Sequence, residues 1–375
     1  MIAEARDLVR REIAPLAARL DAAGGVDRAL IGRLAGWGWL GTQVAPAWGG
    51  QGVSAAEHGR LCAEIARGSA SLQALVTVQD MVAAAIQRWG TDEQRRRWLP
   101  DLAAGRTLAG LAVTEPEVGS DAAGVRAVIA ECESGYEVTG RKRWVSFGQL
   151  ADVFLVLGRR GDRPTALLVP RTAPGLSTTP VRDQLGLRGA MVADVDLDRC
   201  RVPADHRLGP VGAGFSHVVA TALDHGRFSV AWSCVGIGQA ALDASAAHAA
   251  TRSQFGAPIG ERQLVRRLLA DMACGVRSAR LLCLAAARAR DRRLPSALLE
   301  TVMAKYVAAR EAGRATDAAV QVHGAAGCAP GAEVERLYRD ARVMRIIEGT
   351  DQVLQVAIGE AALGRGADAL VEADL

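Results

Sequence analysis

The sequence predicts an α+β protein, mostly α: an N-terminal helical domain over residues 1–108, a central antiparallel β-domain over 109–208 and a C-terminal four-helix bundle over 209–375. Three observations predict it. Apolar residues recur at helical spacing up to about Leu108, short β-rich runs broken by Gly, Pro and Asp follow, and long helical runs return after a glycine-rich linker. With 375 residues and 50% hydrophobic content, the chain can bury a sizeable core without disulfide staples.

In the first part, Val9, Ile13, Leu16 and Leu20, and then Leu61, Ile65, Leu72 and Leu75, mark helix faces, and WGGQG (Trp48 to Gly52) punctuates them. The middle part offers LAGLAVTEP, YEVTGRKRWVSF, DVFLVLG, TALLVP and DVDLDRCRVP as strands of an antiparallel sheet or barrel. After the linker HRLGPVGAGF, four long helices are expected, over roughly Ser216–Arg252, Glu261–Arg290, Pro295–Val322 and Val334–Leu363. Several are apolar around much of their circumference. Such helices pack into an antiparallel bundle and offer leftover apolar stripes to other subunits.

Composition narrows the function. The chain has 45 basic and 41 acidic side chains, a formal charge of +4, which argues against nucleic acid or an anionic membrane as the main partner. Lysine occurs only at Lys142 and Lys305; the other basic side chains of this set are arginine. No stretch supplies roughly 18 uncharged apolar residues, and MIAEARDLVRREIAP carries charges throughout, so a soluble, cytoplasmic protein is expected. The seven cysteines show no C-x-x-C spacing and read as small apolar residues of a reduced compartment. A dinucleotide-binding G-x-G-x-x-G, a P-loop, H-E-x-x-H and a plausible metal cluster are all missing, so no metal site is expected.

Six stretches carry candidate chemistry. In AVTEPEVGSD, the Thr114 hydroxyl and the amides around Gly119 and Ser120 can bond a polar ring edge or a phosphate, or simply mark a strand-to-turn boundary. In GRKRWVSFG, Trp144 and Ser146 lie two apart, hence on one face of a strand, where an indole beside a hydroxyl can cover a planar cofactor or pack in a core. Asp224 and Arg227 of DHGR are three apart on one helix face, either as a site or as a solvated ion pair. TRSQFGAPIGERQ puts Arg252 and Phe255 at a helix corner, where an arginine can pair with a pyrophosphate or lie on the surface. QVHGAAGC is a helix stop rich in small residues, open to a close approach or a plain loop. Finally, Glu348 follows two isoleucines in VMRIIEGTDQVLQ, as an exposed-face glutamate or as a desolvated carboxylate suited to proton abstraction.

Taken in order, REIAPLA, WGGQG, GTDEQRRRWLPDLAAG, AVTEPEVGSD, KRWVSFG, TRSQFGAPIGERQ, QVHGAAG and VERLYRDARVMRIIEGT resemble the acyl-CoA dehydrogenase family over nearly the whole chain. The resemblance implies that family's fold, usually as a homodimer or homotetramer, and FAD held between β-domain and bundle. It implies that Val113, Thr114, Gly119 and Ser120 line the flavin and its phosphate, with Trp144 and Ser146 against the isoalloxazine. Arg252, Phe255, Gln263, Gln321 and Gly324 would meet the FAD of a neighbouring subunit, and Thr350 and Gln352 would also touch the cofactor.

For the chemistry, the resemblance implies α,β-dehydrogenation of an acyl thioester on CoA or an acyl carrier protein. Glu348 would take the α-proton as hydride passes from the β-carbon to flavin N5, and electrons would go on to a flavoprotein or to oxygen. Asp224 and Arg227 would meet the pantetheine arm, Gly349 would let backbone approach the substrate, and Gln73 would lie in the acyl cavity where some members carry a carboxylate-binding arginine. Some relatives place the glutamate just before the arginine of D-x-x-R; here that residue is Gly226. HGRFSVAWSCVGIGQA together with RIIEGT looks most like members acting in polyketide extender-unit (methoxymalonyl-type) biosynthesis. Alternatives on the same fold are an acyl-CoA oxidase or flavin monooxygenase, and a DNA-binding relative.

Overall fold

The computed structural model describes residues 1–365. The N-terminal helices are α1 (Ile2–Leu8), α2 (Ala17–Ala23), α3 (Arg28–Gly36), α4 (Ala55–Gly68), α5 (Ala70–Trp89) and α6 (Asp92–Ala103). Their starts are written in the sequence. Ser54 and Glu57 form a reciprocal capping box on α4, Thr91 and Gln94 form another on α6, and the Ser69 hydroxyl accepts from the Leu72 amide to open α5.

Eight strands follow: β1 (Ala109–Ala112), β2 (Val128–Cys132), β3 (Gly135–Val145), β4 (Val153–Arg160), β5 (Arg163–Pro170), β6 (Leu176–Pro180), β7 (Ala193–Pro203) and β8 (Arg207–Leu208). They form one sheet in the order β6-β7-β3-β2-β4-β5-β8, with β1 also on β4. The sheet is antiparallel in most of its pairings, as expected, while β1 and β2 both run parallel to β4. Strands β2, β6 and β8 are not among the expected runs: β8 is only two residues long, and β2 and β6 expose much of their length. The run in β4 is continuous because both its faces are covered. Val153 and Leu155 pack with Met81, Val82 and Ile86 of α5, while Phe154 and Val156 join Leu167, Val169, Val195 and Leu197 inside the β-domain.

The last part comprises α7 (Ala220–Thr251), a short hairpin of β9 (Ser253–Gln254) and β10 (Ala257–Pro258), then α8 (Gln263–Asp291), α9 (Ala297–His323), α10 (Glu333–Met344) and α11 (Asp351–Arg365). Helix α9 packs against α7, α8, α10 and α11, and α4 and α5 pack on α7. Small residues permit these approaches: Gly59 of α4 lies against the fully buried indole of Trp232, where a Cβ would collide with the ring. Two helix expectations are corrected. The first long helix begins with a π-helical segment, Gly214–Val219, and the fourth is two helices interrupted at Arg345–Thr350. The cause of the interruption is local: Glu348 and Gly349 take left-handed backbone, with φ of 54° and 98°.

All seven cysteines are free: Cys62, Cys200, Cys234 and Cys283 are buried, and Cys132, Cys274 and Cys328 are exposed. Among the described residues no helix is long and apolar enough to cross a membrane, and no group of three or more His, Cys, Asp or Glu is arranged to hold a metal ion.

Candidate active site

The break between α10 and α11 is held from two sides. Arg227 Nε of α7 donates to the Glu348 carbonyl at 3.1 Å, and Lys305 Nζ of α9 donates to the Gly349 carbonyl at 2.7 Å. Arg345 bonds Asp351 across the turn at 2.7 Å, and the Thr350 hydroxyl accepts from the Val353 amide to start α11. A non-glycine residue in left-handed backbone costs about 1–3 kcal/mol, so these four ties hold a conformation the chain would otherwise relax. The turn presents the Glu348 carboxylate inward. Its residue keeps some exposure, but Oε2 is buried and has no hydrogen-bond partner. Burial pushes its pKa up to about 7, against the opposing pull of the Arg227 and Lys305 charges. Such a carboxylate is matched to taking a proton near neutral pH.

The residues around it also differ from a simple reading of DHGR. Asp224 and Arg227 share a helix face without forming a pair: Asp224 bonds Arg290 of α8 at 2.6 Å, while Arg227 holds the Glu348 turn. Gly226 faces the carboxylate directly, and Gln73 is buried, donating to the Thr77 hydroxyl at 2.8 Å.

At the β-domain edge, the structure brings the AVTEPEVGSD segment against the end of β3. Lys142 Nζ, fully buried, bonds Glu115 Oε1 at 2.6 Å and the Val113 carbonyl at 3.1 Å, while the Arg143 amide bonds the Thr114 carbonyl at 2.9 Å. Glu115 is completed by the amides of Arg126 and Ala127. The expected strand alternation of Trp144 and Ser146 does not hold. Trp144 has φ 59°, β3 ends at Val145 after a register shift, and Ser146 lies beyond the strand, so the indole is swung out to 57% exposure.

A third group sits at one end of the bundle. Arg252, Phe255 and Gln263 are exposed on and beside the β9-β10 hairpin, with the Phe255 ring 94% exposed and its φ at 53°. Stacked His248 and His323, 4.2 Å between ring centroids, bring the end of α7 beside Gln321 and Gly324 at the end of α9. Gln352 is exposed on the first turn of α11. Of the nine non-glycine residues with positive φ among the described residues, three are Trp144, Phe255 and Glu348. Strain thus gathers on residues selected for their chemistry.

Sequence reasoning missed a buried polar cluster. His225 Nδ1 lies 3.2 Å from Asp80 Oδ2, His58 Nε2 lies 3.7 Å from the same oxygen, and His58 Nδ1 meets the Thr42 hydroxyl at 2.8 Å. Burial lowers the pKa of His58; it also works to raise that of Asp80, but the two histidines and Arg290 outweigh it and hold Asp80 low. The available signal was polar residues at core positions of α4 and α5.

Three acyl-CoA dehydrogenase models match the chain in order: the N-terminal domain over residues 1–106, the middle domain over 110–200 and the C-terminal domain over 212–363. The probable acyl-CoA dehydrogenase YngJ of Bacillus subtilis (strain 168) is 36% identical over 96% of this chain and 96% of its own. The chain belongs to the acyl-CoA dehydrogenase family. The human mitochondrial short-chain specific acyl-CoA dehydrogenase is 34% identical over 94% of this chain and 87% of its own. A solved structure of FkbI, described as acting in biosynthesis of the methoxymalonyl extender unit of the Fk520 polyketide, superposes with a TM-score of 0.89 at 36% identity, covering 97% of this chain and 99% of that one.

Acyl-CoA dehydrogenase membership implies FAD, and the residues present fit it. An exposed indole stands at the end of β3 with the Ser146 hydroxyl two residues further along the chain, and a Cβ built on Gly119 or Gly324 would meet nothing within 4 Å, leaving backbone open to a ligand.

Proposed function

We propose that the protein catalyses FAD-dependent α,β-dehydrogenation of an acyl thioester, with Glu348 taking the α-proton. The observation that carries this is the carboxylate itself: inward-facing, with a buried and unpartnered Oε2, on a turn held by Arg227 and Lys305. FAD, when bound, supplies the acceptor for the hydride leaving the β-carbon. Val113, Thr114, Gly119, Ser120, Trp144 and Ser146 hold it on the β-domain side, with Thr350 and Gln352 on the bundle side. Arg252, Phe255, Gln263, Gln321 and Gly324 reach the FAD of a second copy in a homodimer or homotetramer, which accounts for the bare Phe255 ring.

Glu348 works as a base because burial disfavours its charge and so raises its proton affinity. Asp224 and Arg227 line the approach of the pantetheine arm, and Gly349 lets the thioester pass close to backbone. The likeness to FkbI supports a place in extender-unit biosynthesis, with an acyl carrier protein or CoA as the carrier. Electrons pass on to a flavoprotein or to oxygen. The test is anaerobic mixing of the yellow protein with acyl-CoA and acyl-carrier-protein thioesters. Loss of flavin colour with at least one is expected; a protein that takes up no FAD, or keeps its colour with all of them, contradicts the reading.

A further inference from the structure

Beside Glu348, the interface of α5 and α7 is polar where a hydrocarbon chain would call for apolar lining. Asp80 and His225 immediately precede Met81 and Gly226, and a Cβ built on Gly226 would meet both the Met81 methyl and the Glu348 carboxylate. Asp80 is buried, whereas the His225 side chain remains 24% exposed. The ionised Asp80 can only accept, so His225 Nδ1 donates to it; in the neutral imidazole Nε2 is then an acceptor, and it has no protein partner among the described residues. Deeper along the same two helices, the Ser229 hydroxyl bonds the Thr77 hydroxyl at 2.9 Å, and Thr77 is also bonded by Gln73. That ladder is closed on itself, so it satisfies its own groups and bars a long chain from passing between α5 and α7.

We propose that the acyl group accepted beside Glu348 is short and carries a hydroxyl, which donates to His225 Nε2, with Asp80 as the positioning residue for the imidazole. The proposal rests on the thioester reading above and names its substrate class. A hydroxyl restores the hydrogen bond that Nε2 loses when the acyl group displaces water from it; a methyl of the same size leaves that nitrogen unpaired.

The experiment compares methyl and hydroxyl partners of equal size: pentanoyl-CoA against 4-hydroxybutanoyl-CoA, and 2-methylbutanoyl-CoA against 2-hydroxybutanoyl-CoA. Calorimetric affinities are measured on the FAD-loaded Glu348→Gln protein, which binds without turnover. In at least one pair the hydroxyl partner is expected to bind about tenfold tighter, the weight of one such hydrogen bond. Adding His225→Phe should erase the preference. Asp80→Asn, a near-isosteric change, should reduce it, and serves if the phenylalanine variant loses FAD or fails to fold. Equal or tighter binding of both methyl partners, or a preference that survives both substitutions, overturns the proposal. Bleaching of the wild-type protein separates the two readings. Bleaching by thioesters without a hydroxyl preference leaves the dehydrogenase reading standing and removes this one; a hydroxyl preference in binding without any bleaching does the reverse.

Discussion

A Cβ placed on Gly226 would stand 2.7 Å from Oε2 of Glu348 and 2.7 Å from Cε of Met81. The glycine of α7 is therefore the space in which the carboxylate rests. Gly226→Ala should displace the carboxylate while leaving the FAD contacts untouched. Bleaching by the best thioester should slow at least about tenfold, as expected for a misplaced catalytic group, with flavin content unchanged. Rapid-mixing spectroscopy checks this.

Glu348→Gln removes the proposed base and keeps the shape. Thioester binding should persist, seen as a shift of the flavin spectrum, while bleaching falls by about 10²-fold or more. Retained bleaching would assign the proton to another group.

The raised pKa of Glu348 sets two pH dependences. Activity with substrate below saturation should rise with pH through about 7, as the free enzyme's carboxylate ionises. Stability runs the other way. The unfolded carboxyl ionises near about 4.3 and the folded one near about 7, so between these values the native state holds more protons than the unfolded state. This contribution is full below the unfolded value and is lost as pH rises through the folded one, with a slope of at most about 1.4 kcal/mol per pH unit. Denaturant titrations across this window should show a shallower decline in Glu348→Gln than in the wild-type protein.

Lys305→Met fills the same volume but takes the donor from the Gly349 carbonyl and a positive charge from beside Glu348. A stability loss of about 1–3 kcal/mol is expected for a carbonyl left unpaired. The pH–rate profile should also move to higher pH, a change that loss of packing alone would not produce.

Lys142→Met breaks a buried ion pair on one side only, leaving Glu115 without its counter-charge. A loss of about 3–5 kcal/mol is expected, along with a lower FAD content, since Lys142 ties the Val113 segment to β3. Denaturation and flavin absorbance per chain check both.

The order of helical, β and helical parts was legible because period and punctuation are local signals, and Glu348 stood out as an acid behind isoleucines. What stayed hidden depended on backbone handedness or on distant partners. Periodicity runs straight across Glu348 and Gly349 and gives no sign that both adopt left-handed conformations. In the same way, period two cannot anticipate the register shift that turns Trp144 outward. The partners of Asp224 and Asp80 come from other helices, at Arg290 and His58, and no spacing rule reaches that far. The two lysines were a signal left unused. In a chain that otherwise uses arginine, Lys142 and Lys305 are both fully buried, the first on Glu115 and the second on the Gly349 carbonyl.

The turn bearing Glu348 is anchored to α7 and α9, whereas α5 contributes Gln73, Thr77 and Asp80 and bonds neither Arg227 nor Lys305 among the described residues. The ties that hold the Glu348 turn and the α5 share of the polar ladder are thus on different helices, while α7 carries Arg227 as well as His225 and Ser229. Descent with modification can rewrite one without retuning the other: a library randomised only along α5 should yield variants that exchange one acyl group for another while keeping the same base, the same turn and the same pH optimum.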